Sequence, residues 1–260
     1  MSVDHTSEFV KQQTLTRDAF LGGRLIVSQP GNGFRAGLES VLLGSAIAGE
    51  SISLLDLGAG AGTAALVALA NGHALTATLV DADPEMTALA GLNLSQNGLA
   101  DRARVLTLDV TAKGSDRAAA GLASDHYWTV IANPPFFDPG SGTAPAEARA
   151  PARHMDPESL ELWVRTAAAS AAPDGDIVFI HAASSLPSLL AAFDRRFGAI
   201  KVLPLCPREG EAANRVLIRG VKGSRAPLTL LASRALHQPS GQGFRPEFEA
   251  IFRGTGRLDW

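Results

Sequence analysis

The sequence predicts a doubly wound α/β fold in which a mostly parallel sheet of seven strands carries helices on both faces. Between residues 52 and 221, short apolar runs alternate with longer segments of helical spacing, as in consecutive βαβ units. One run, LLDLGAGAGT at 54–63, joins an apolar strand to a helix through three glycines at alternate positions. Only residues 207–214 separate the last two predicted strands, so these strands are expected to pair as an antiparallel hairpin.

The individual elements follow from apolar periodicity and turn residues. The first are a small hairpin at 19–27 around two glycines, a turn at 28–33 and a helix at 38–48. Further strands are predicted at 52–57, 75–80, 104–108, 127–132, 176–181, 199–205 and 215–221. The helices between them are predicted at 63–71, 84–97, 116–123, 157–172 and 186–197.

These elements divide the chain into three parts. Residues 1–50 form an N-terminal extension, a hairpin and a helix, that is expected to pack over a ligand pocket. Residues 51–225 form the α/β domain, and residues 226–260 extend that same domain. The low-complexity segment 140–151 is long for a connection inside a compact domain, which indicates a functional loop.

Composition places the chain among globular proteins. It has 260 residues, of which 46% are hydrophobic and 19% charged, enough for one large core. The single cysteine, Cys206, cannot form an internal disulfide, which fits a reducing cytoplasm. The first eleven residues are polar and include acids, and the apolar region 41–69 is interrupted by Glu50 and Asp56. We therefore expect a cytoplasmic protein without a signal peptide or a membrane span.

Charge is unevenly distributed along the chain. Residues 1–194 carry 11 basic and 21 acidic side chains, whereas residues 195–260 carry 12 basic and 5 acidic ones. The C-terminal part therefore has a net charge of +7, although the whole chain has −3. Such a part can contact the phosphates of a nucleic acid, or it can be an ordinary solvated surface.

The turn that carries Gly58, Gly60 and Gly62, called here the glycine turn, is compatible with two kinds of cofactor. Gly60, Gly62 and Ala65 fit the dinucleotide pattern GxGxxA, and Asp81 lies about 20 residues further on, where a ribose-binding carboxylate belongs. Asp56 favours S-adenosyl-L-methionine over a dinucleotide, since a carboxylate beside the turn would repel the pyrophosphate of a dinucleotide. S-Adenosyl-L-methionine carries no phosphate, and its cationic amino and sulfonium groups tolerate a nearby acid.

Polar residues follow four consecutive predicted strands: Asp56, Asp81, Asp109 and Asn133. In a doubly wound sheet these positions share the carboxyl edge, where ligands bind. Asp81 can accept hydrogen bonds from two ribose hydroxyls, and Asp109 from an adenine amino group.

The tetrapeptide Asn133-Pro134-Pro135-Phe136 is the most specific signal in the chain. The two prolines remove two backbone donors and stiffen the turn, which leaves the Pro134 carbonyl and the Asn133 side-chain carbonyl as acceptors. Two acceptors on a rigid turn can bind both hydrogens of an amino group attached to a ring. Phe136 can stack on the face of that ring.

Together with Gln29-Pro30, Gly33-Phe34-Arg35 and Leu42-Leu43, these motifs make the chain resemble a known family. The family is that of the class I S-adenosylmethionine-dependent small-domain methyltransferases related to the bacterial tRNA(Val) adenine-37 amino methyltransferases. The resemblance covers roughly residues 16–255 and implies a Rossmann-like methyltransferase sheet. It also implies methyl transfer to an exocyclic amino group, adenine N6 in a structured RNA such as tRNA.

The resemblance further implies residue roles. Asp56 and the glycine turn would hold the methionine part of the cofactor. Asp81 would bind its ribose and Asp109 its adenine, and Arg35 and Gly37 would close over it. The expected cofactor residues are Arg35, Gly37, Asp56, Gly58, Ala59, Gly60, Gly62, Asp81, Ala82, Asp109, Val110 and Asn133. The expected catalytic residues are Asn133, Pro134, Pro135 and Phe136.

Other functions stay open at this point. A protein glutamine amide also presents an NH2 group, a small-molecule O-methyltransferase would share the cofactor, and a non-catalytic RNA-binding relative would share the fold. The six histidines show no HxxxH pair and there is one cysteine, so no metal is expected. Glu39 stands where relatives more often have Asp, and segment 140–151 is rich in Ala and Pro rather than in basic residues.

Overall fold

The computed structural model describes residues 15–31, 35–135 and 157–260. The strands are β1 (Leu15–Phe20), β2 (Leu25–Pro30), β3 (Leu54–Leu57), β4 (Ala77–Asp81), β5 (Ala103–Thr107), β6 (Tyr127–Ala132), β7 (Ala171–Ala182), β8 (Phe197–Cys206), β9 (Arg215–Lys222), β10 (Thr229–Leu230) and β11 (Arg234–Ala235). The α-helices are α1 (Leu38–Ser45), α2 (Thr63–Ala70), α3 (Pro84–Gln96), α4 (Gly114–Ala119), α5 (Pro157–Ser170), α6 (Leu186–Asp194) and α7 (Pro246–Phe252).

The main sheet has the strand order β5-β4-β3-β6-β7-β9-β8, and the two-residue strands β10 and β11 both add to β8. Strands β3 to β7 are mutually parallel, whereas β9 runs antiparallel to both β7 and β8. The predicted α/β class, the seven long strands and the antiparallel C-terminal hairpin are therefore confirmed. Strands β10 and β11 were not predicted, because two residues carry no periodicity.

Helices cover both faces of this sheet. Leu54 packs on one face with α2, whereas Leu55 and Leu57 pack on the other with α5 and α6. Because both faces are buried, strand β3 reads as a continuous apolar run, interrupted only by the buried Asp56. The parallel strands end at one edge of the sheet, called here the carboxyl edge.

The N-terminal hairpin is longer than predicted. Strands β1 and β2 pair from Phe20↔Leu25 to Leu15↔Pro30, so residues 28–30 are a strand and not the predicted turn. The cause is a contact with α3: Asn93 Oδ1 accepts from the Ser28 N–H at 2.8 Å, and Asn93 Nδ2 donates to the Ser28 carbonyl at 2.9 Å. The Asn93 side chain, 65 residues away in the sequence, thus satisfies the Ser28 backbone groups as a neighbouring strand would.

Helix ends follow their local signals in most places. Asp83 Oδ1 caps α3 by accepting from the Glu85 N–H at 2.8 Å, with Pro84 in the first turn. Gly72 and Gly98 follow the ends of α2 and α3 with φ of 70° and 67°. Four helices end two to four residues earlier than predicted. Helix α1 ends at Ser45 and α4 at Ala119, whereas α5 ends at Ser170 and α6 at Asp194 because Ala171 already belongs to β7 and Phe197 to β8.

The C-terminal extension packs against α1. Trp260 Nε1 donates to the Ala46 carbonyl at 2.7 Å, and the Leu258 N–H donates to the Ser45 carbonyl at 3.1 Å. Phe248 of α7 is fully buried in the same core. The last residues of the sequence thereby fix the end of the helix that forms one wall of the site.

Candidate functional site

A pocket opens at the carboxyl edge between the glycine turn, β2, α1 and the end of β6. Its lining residues are Gln29, Pro30, Ala36, Ser40, Leu43, Asp56, Gly58, Ala59, Gly60, Ala61, Ala64, Met86 and Asn133. The structure thus brings Asp56, the glycine turn and Asn133 into one pocket, although up to 77 positions separate them in the sequence.

The three glycines of the turn are required for different reasons. All have positive φ, with 67° at Gly58, 55° at Gly60 and 85° at Gly62. A Cβ on Gly58 would overlap the indole of Trp163, and one on Gly62 would lie 2.8 Å from Leu79. Beside Gly60, no heavy atom of the described residues outside the turn lies within 4 Å of that position. Gly60 is therefore the glycine that leaves space for a ligand.

Asp56 lies beneath the turn and is 2% exposed. Its Oδ2 accepts from the Ala65 N–H at 3.1 Å, which caps α2 at a position where the N-cap residue, Gly62, has no side chain. Burial raises the pKa of Asp56 to about 7; the Ala65 N–H opposes this shift and the Asp81 carboxylate adds to it. Close to neutral pH this carboxyl group can therefore respond to a cation brought into the pocket.

Asp81 at the end of β4 fixes the glycine turn from the other side. Its Oδ2 accepts from the Gly60 N–H at 2.8 Å, and its Oδ1 accepts from the Asp83 N–H at 3.0 Å. Burial raises the pKa of Asp81, and the N–H groups of Asp83 and Gly60 oppose that shift. Each carboxylate oxygen can accept a second hydrogen bond, so the side chain keeps capacity for a ligand hydroxyl. Ala82, beside it, is exposed.

Asp109 and Val110 form the turn after β5. Asp109 Oδ1 accepts from the Thr111 N–H at 2.8 Å and from Thr111 Oγ1 at 2.7 Å. Val110 is buried, and its carbonyl accepts from Thr166 Oγ1 of α5 at 2.6 Å. No sequence pattern indicates Thr166, since a threonine inside a helix has no positional signal.

Asn133 and Pro134 follow β6 directly. Asn133 Oδ1 is buried, and among the described residues it has no hydrogen-bond partner. Pro134 is buried and Pro135 is half-buried. Phe136 lies outside the described residues. Of the two predicted acceptor residues, Asn133 lines the pocket and Pro134 follows it directly in the chain.

Arg35 is engaged with the hairpin. Its Nη2 lies 2.8 and 2.7 Å from the two oxygens of Asp18, which also accepts from Gln29 Nε2 at 2.8 Å. Gln29 Oε1 in turn accepts from the Ala36 N–H at 2.7 Å. The closure of Arg35 over a cofactor stays a prediction. Gly37 is the N-cap residue of α1.

Several pocket residues had received no role. Gln29, Ser40 and Met86 line the pocket, but only Gln29 stands in a recognisable motif. Glu39, whose role was open, accepts from Arg215 Nε at 3.1 Å and so ties α1 to the first residue of β9. Segment 140–151 lies outside the described residues.

The described residues contain no helix that combines the length and apolarity needed to cross a membrane. They also contain no group of three or more His, Cys, Asp and Glu side chains that could hold a metal ion.

Comparisons with known proteins agree with this geometry. The family described as methyltransferase small domain matches residues 38–150. A tRNA1(Val) (adenine(37)-N6)-methyltransferase of Pectobacterium carotovorum is 30% identical over 164 residues, which cover 62% of this chain and 63% of that relative, just under two thirds of its length. The enzyme of the same name from Dickeya chrysanthemi is 25% identical and covers 84% of this chain and 86% of the relative.

A solved structure is also similar. It is a predicted O-methyltransferase, protein Atu636 from Agrobacterium tumefaciens, with 32% identity and a TM-score of 0.70. The match covers 85% of this chain and 98% of that one.

The strand order, the glycine turn and the Asn-Pro-Pro turn at one pocket define an α/β methyltransferase. The Agrobacterium structure, 32% identical and covered over 98% of its length, shows that the chain belongs to the methyltransferases, and residues 38–150 match the small-domain family among them. The resemblance stated from the motifs is thereby confirmed, and the dinucleotide alternative is set aside.

Proposed function

We propose that this methyltransferase uses S-adenosyl-L-methionine to methylate the exocyclic amino group of an adenine in a structured RNA, a tRNA. The relatives from Pectobacterium and Dickeya are named as adenine-N6 methyltransferases of tRNA1(Val). The net charge of +7 on residues 195–260 supports an RNA acceptor, because a basic segment favours contact with phosphates.

The observation that carries the proposal is the buried Asn133 Oδ1, which has no hydrogen-bond partner in the part of the chain that the structure describes. A buried acceptor without a partner costs about 1–3 kcal/mol, so its presence in a pocket calls for an explanation. An amino group supplies two donors, one for Asn133 Oδ1 and one for the neighbouring Pro134 carbonyl. Because Pro134 and Pro135 have no N–H groups, neither of their backbone nitrogens competes as a donor.

The pocket also fits the proposed cofactor. Gly60 leaves open space beside the turn, Asp81 keeps acceptor capacity for ribose hydroxyls, and the buried Asp56 suits a cationic amino group. When bound, S-adenosylmethionine supplies a methyl group attached to a positively charged sulfur, and this sulfur is a good leaving group. Asn133 and Pro134 would hold the acceptor nitrogen with its lone pair free for in-line attack. Catalysis then depends on positioning and exclusion of water more than on a general base.

The position of the pocket limits which nucleotides can enter it. A base inside a helix cannot reach a pocket at the edge of a sheet, so the target nucleotide must be in a loop or flipped out of its stack. Exposed bases of a tRNA loop meet this condition.

The test is methyl transfer from labelled S-adenosylmethionine to four fractions of a strain lacking this gene: tRNA, ribosomal RNA, total protein and small molecules. Label recovered by nucleoside mass spectrometry as N6-methyladenosine in tRNA is the expected result. Label in protein as methylglutamine, or in small molecules as a methyl ether, would overturn the acceptor but keep the methyltransferase. The last outcome corresponds to the name of the Agrobacterium relative.

A further inference from the structure

Helix α5 contacts two separate turns of the candidate site. Trp163 and Thr166 stand three positions apart in α5, so they lie on the same face of the helix. Trp163 packs against Gly58 of the glycine turn, and Thr166 reaches the turn after β5. The first turn is proposed to hold the methionine part of the cofactor, and the second its adenine.

The contact of Thr166 is short and completely buried. Its Oγ1 donates to the Val110 carbonyl at 2.6 Å, across 56 positions in the sequence, and Thr166 has no exposed surface. A helical threonine usually bonds to a carbonyl one turn earlier in its own helix. Thr166 instead donates to a carbonyl of another element, so removal of its hydroxyl would remove this hydrogen bond from the Val110 carbonyl.

The hydrogen bond from Thr166 to the Val110 carbonyl further restrains the turn that carries Asp109. The Leu108 N–H donates to the Asp81 carbonyl at 2.8 Å, and Thr111 donates twice to Asp109 Oδ1. Those contacts tie the turn to β4 and fix the carboxylate within it. The hydrogen bond from Thr166 ties it to α5, the helix that also supports the glycine turn.

We propose that Thr166 is a positioning residue for cofactor recognition, holding the Asp109–Val110 turn so that Asp109 meets the adenine amino group. This inference rests on the proposed cofactor and goes beyond it, because Thr166 itself contacts no ligand. Loss of the hydroxyl should weaken recognition of the amino group and leave the rest of the site unchanged.

The test compares two ligands by calorimetry: S-adenosylhomocysteine and S-inosylhomocysteine, which lacks the adenine amino group. For Thr166→Val we expect the Kd of S-adenosylhomocysteine to rise about tenfold and that of S-inosylhomocysteine to change less than about twofold. Thr166→Ser keeps the hydroxyl and should restore most of the affinity. Thr129→Val is the matched control, since Thr129 is equally buried but its Oγ1 has no partner among the described residues.

The outcomes are distinct. Equal weakening of both ligands by Thr166→Val, or no weakening beyond that of Thr129→Val, would overturn the role of Thr166 while the proposed function stands. A wild-type protein that binds neither ligand would overturn the proposed cofactor and this inference together.

Discussion

The two halves of the candidate site, the proposed cofactor side and the proposed acceptor side, differ in how their polar groups are satisfied. On the proposed cofactor side, Asp56, Asp81 and Asp109 all accept hydrogen bonds from backbone N–H groups of the protein itself. On the acceptor side, Asn133 Oδ1 is buried without a partner among the described residues. Hydrogen bonds formed on folding therefore satisfy the first half, whereas we expect the proposed acceptor to complete the second. Substitutions in the two halves should differ in the same way, with loss of stability on one side and loss of turnover on the other.

The largest expected effect is on the acceptor side. Asn133→Ala should lower kcat more than a hundredfold, which corresponds to about 3 kcal/mol of transition-state stabilisation. The cofactor affinity should stay nearly constant, and thermal stability should not fall, because an unsatisfied buried oxygen is removed. Single-turnover kinetics, calorimetry and thermal unfolding separate these quantities. Retention of activity would disprove the role assigned to the Asn-Pro-Pro turn.

On the cofactor side, Gly58→Ala and Gly60→Ala should have different effects. At Gly58 the added Cβ overlaps Trp163, so we expect the free energy of unfolding to fall by about 2–3 kcal/mol. At Gly60 the protein leaves space, so the loss is about 1 kcal/mol from the positive φ alone, together with weaker cofactor binding. Denaturant titration and calorimetry of both variants test this. Trp163→Leu in the Gly58→Ala background should recover part of the stability, and failure to do so would show that the overlap is not the cause.

Asp56 makes the cofactor side dependent on pH. Its pKa is raised to about 7 in the folded protein from an ordinary 3.8, so the folded state retains a proton that the unfolded state loses. The stability of the wild type should therefore fall as the pH rises from about 4 to about 7. Asp56→Asn keeps an acceptor for the Ala65 N–H and lacks this titration, so it should gain about 2 kcal/mol relative to the wild type by pH 8. Urea unfolding at pH 5 and pH 8 measures the difference; an equal difference at both values would contradict the raised pKa.

The smallest effect is expected at the ion pair between Glu39 and Arg215. Both side chains are partly exposed, with 30% and 18% of their surface accessible, so Glu39→Gln should cost less than about 1 kcal/mol. The same experiment at high salt should reduce the difference, because salt screens the pair. A large loss of activity with unchanged stability would instead move Glu39 into the binding machinery.

Local sequence signals predicted most of the fold and the motif part of the site. Strand β6 has the predicted bounds, and α3 begins at Pro84 as predicted, with Asp83 as its cap. In both cases the determining residues are adjacent in the sequence: an apolar run in β6, and an Asp-Pro pair before α3. Glycines between a strand and a helix likewise identified the turn without any distant contact.

What the sequence did not predict depends on distant partners. The extension of β2 to Pro30 requires Asn93 of α3, and the requirement for Gly58 comes from Trp163, 105 positions further on. Thr166 belongs to the site only because α5 lies against the turn after β5. Such contacts leave no periodicity in one sequence, so they become visible only when the elements are packed.

The hydrogen bond from Trp260 Nε1 to the carbonyl of Ala46 joins residues 214 positions apart. During translation, the N-terminal helix emerges long before the tryptophan that anchors its end. We therefore expect the pocket wall formed by that helix to reach its final position only after residue 260 has been synthesised, later than the strands of the sheet.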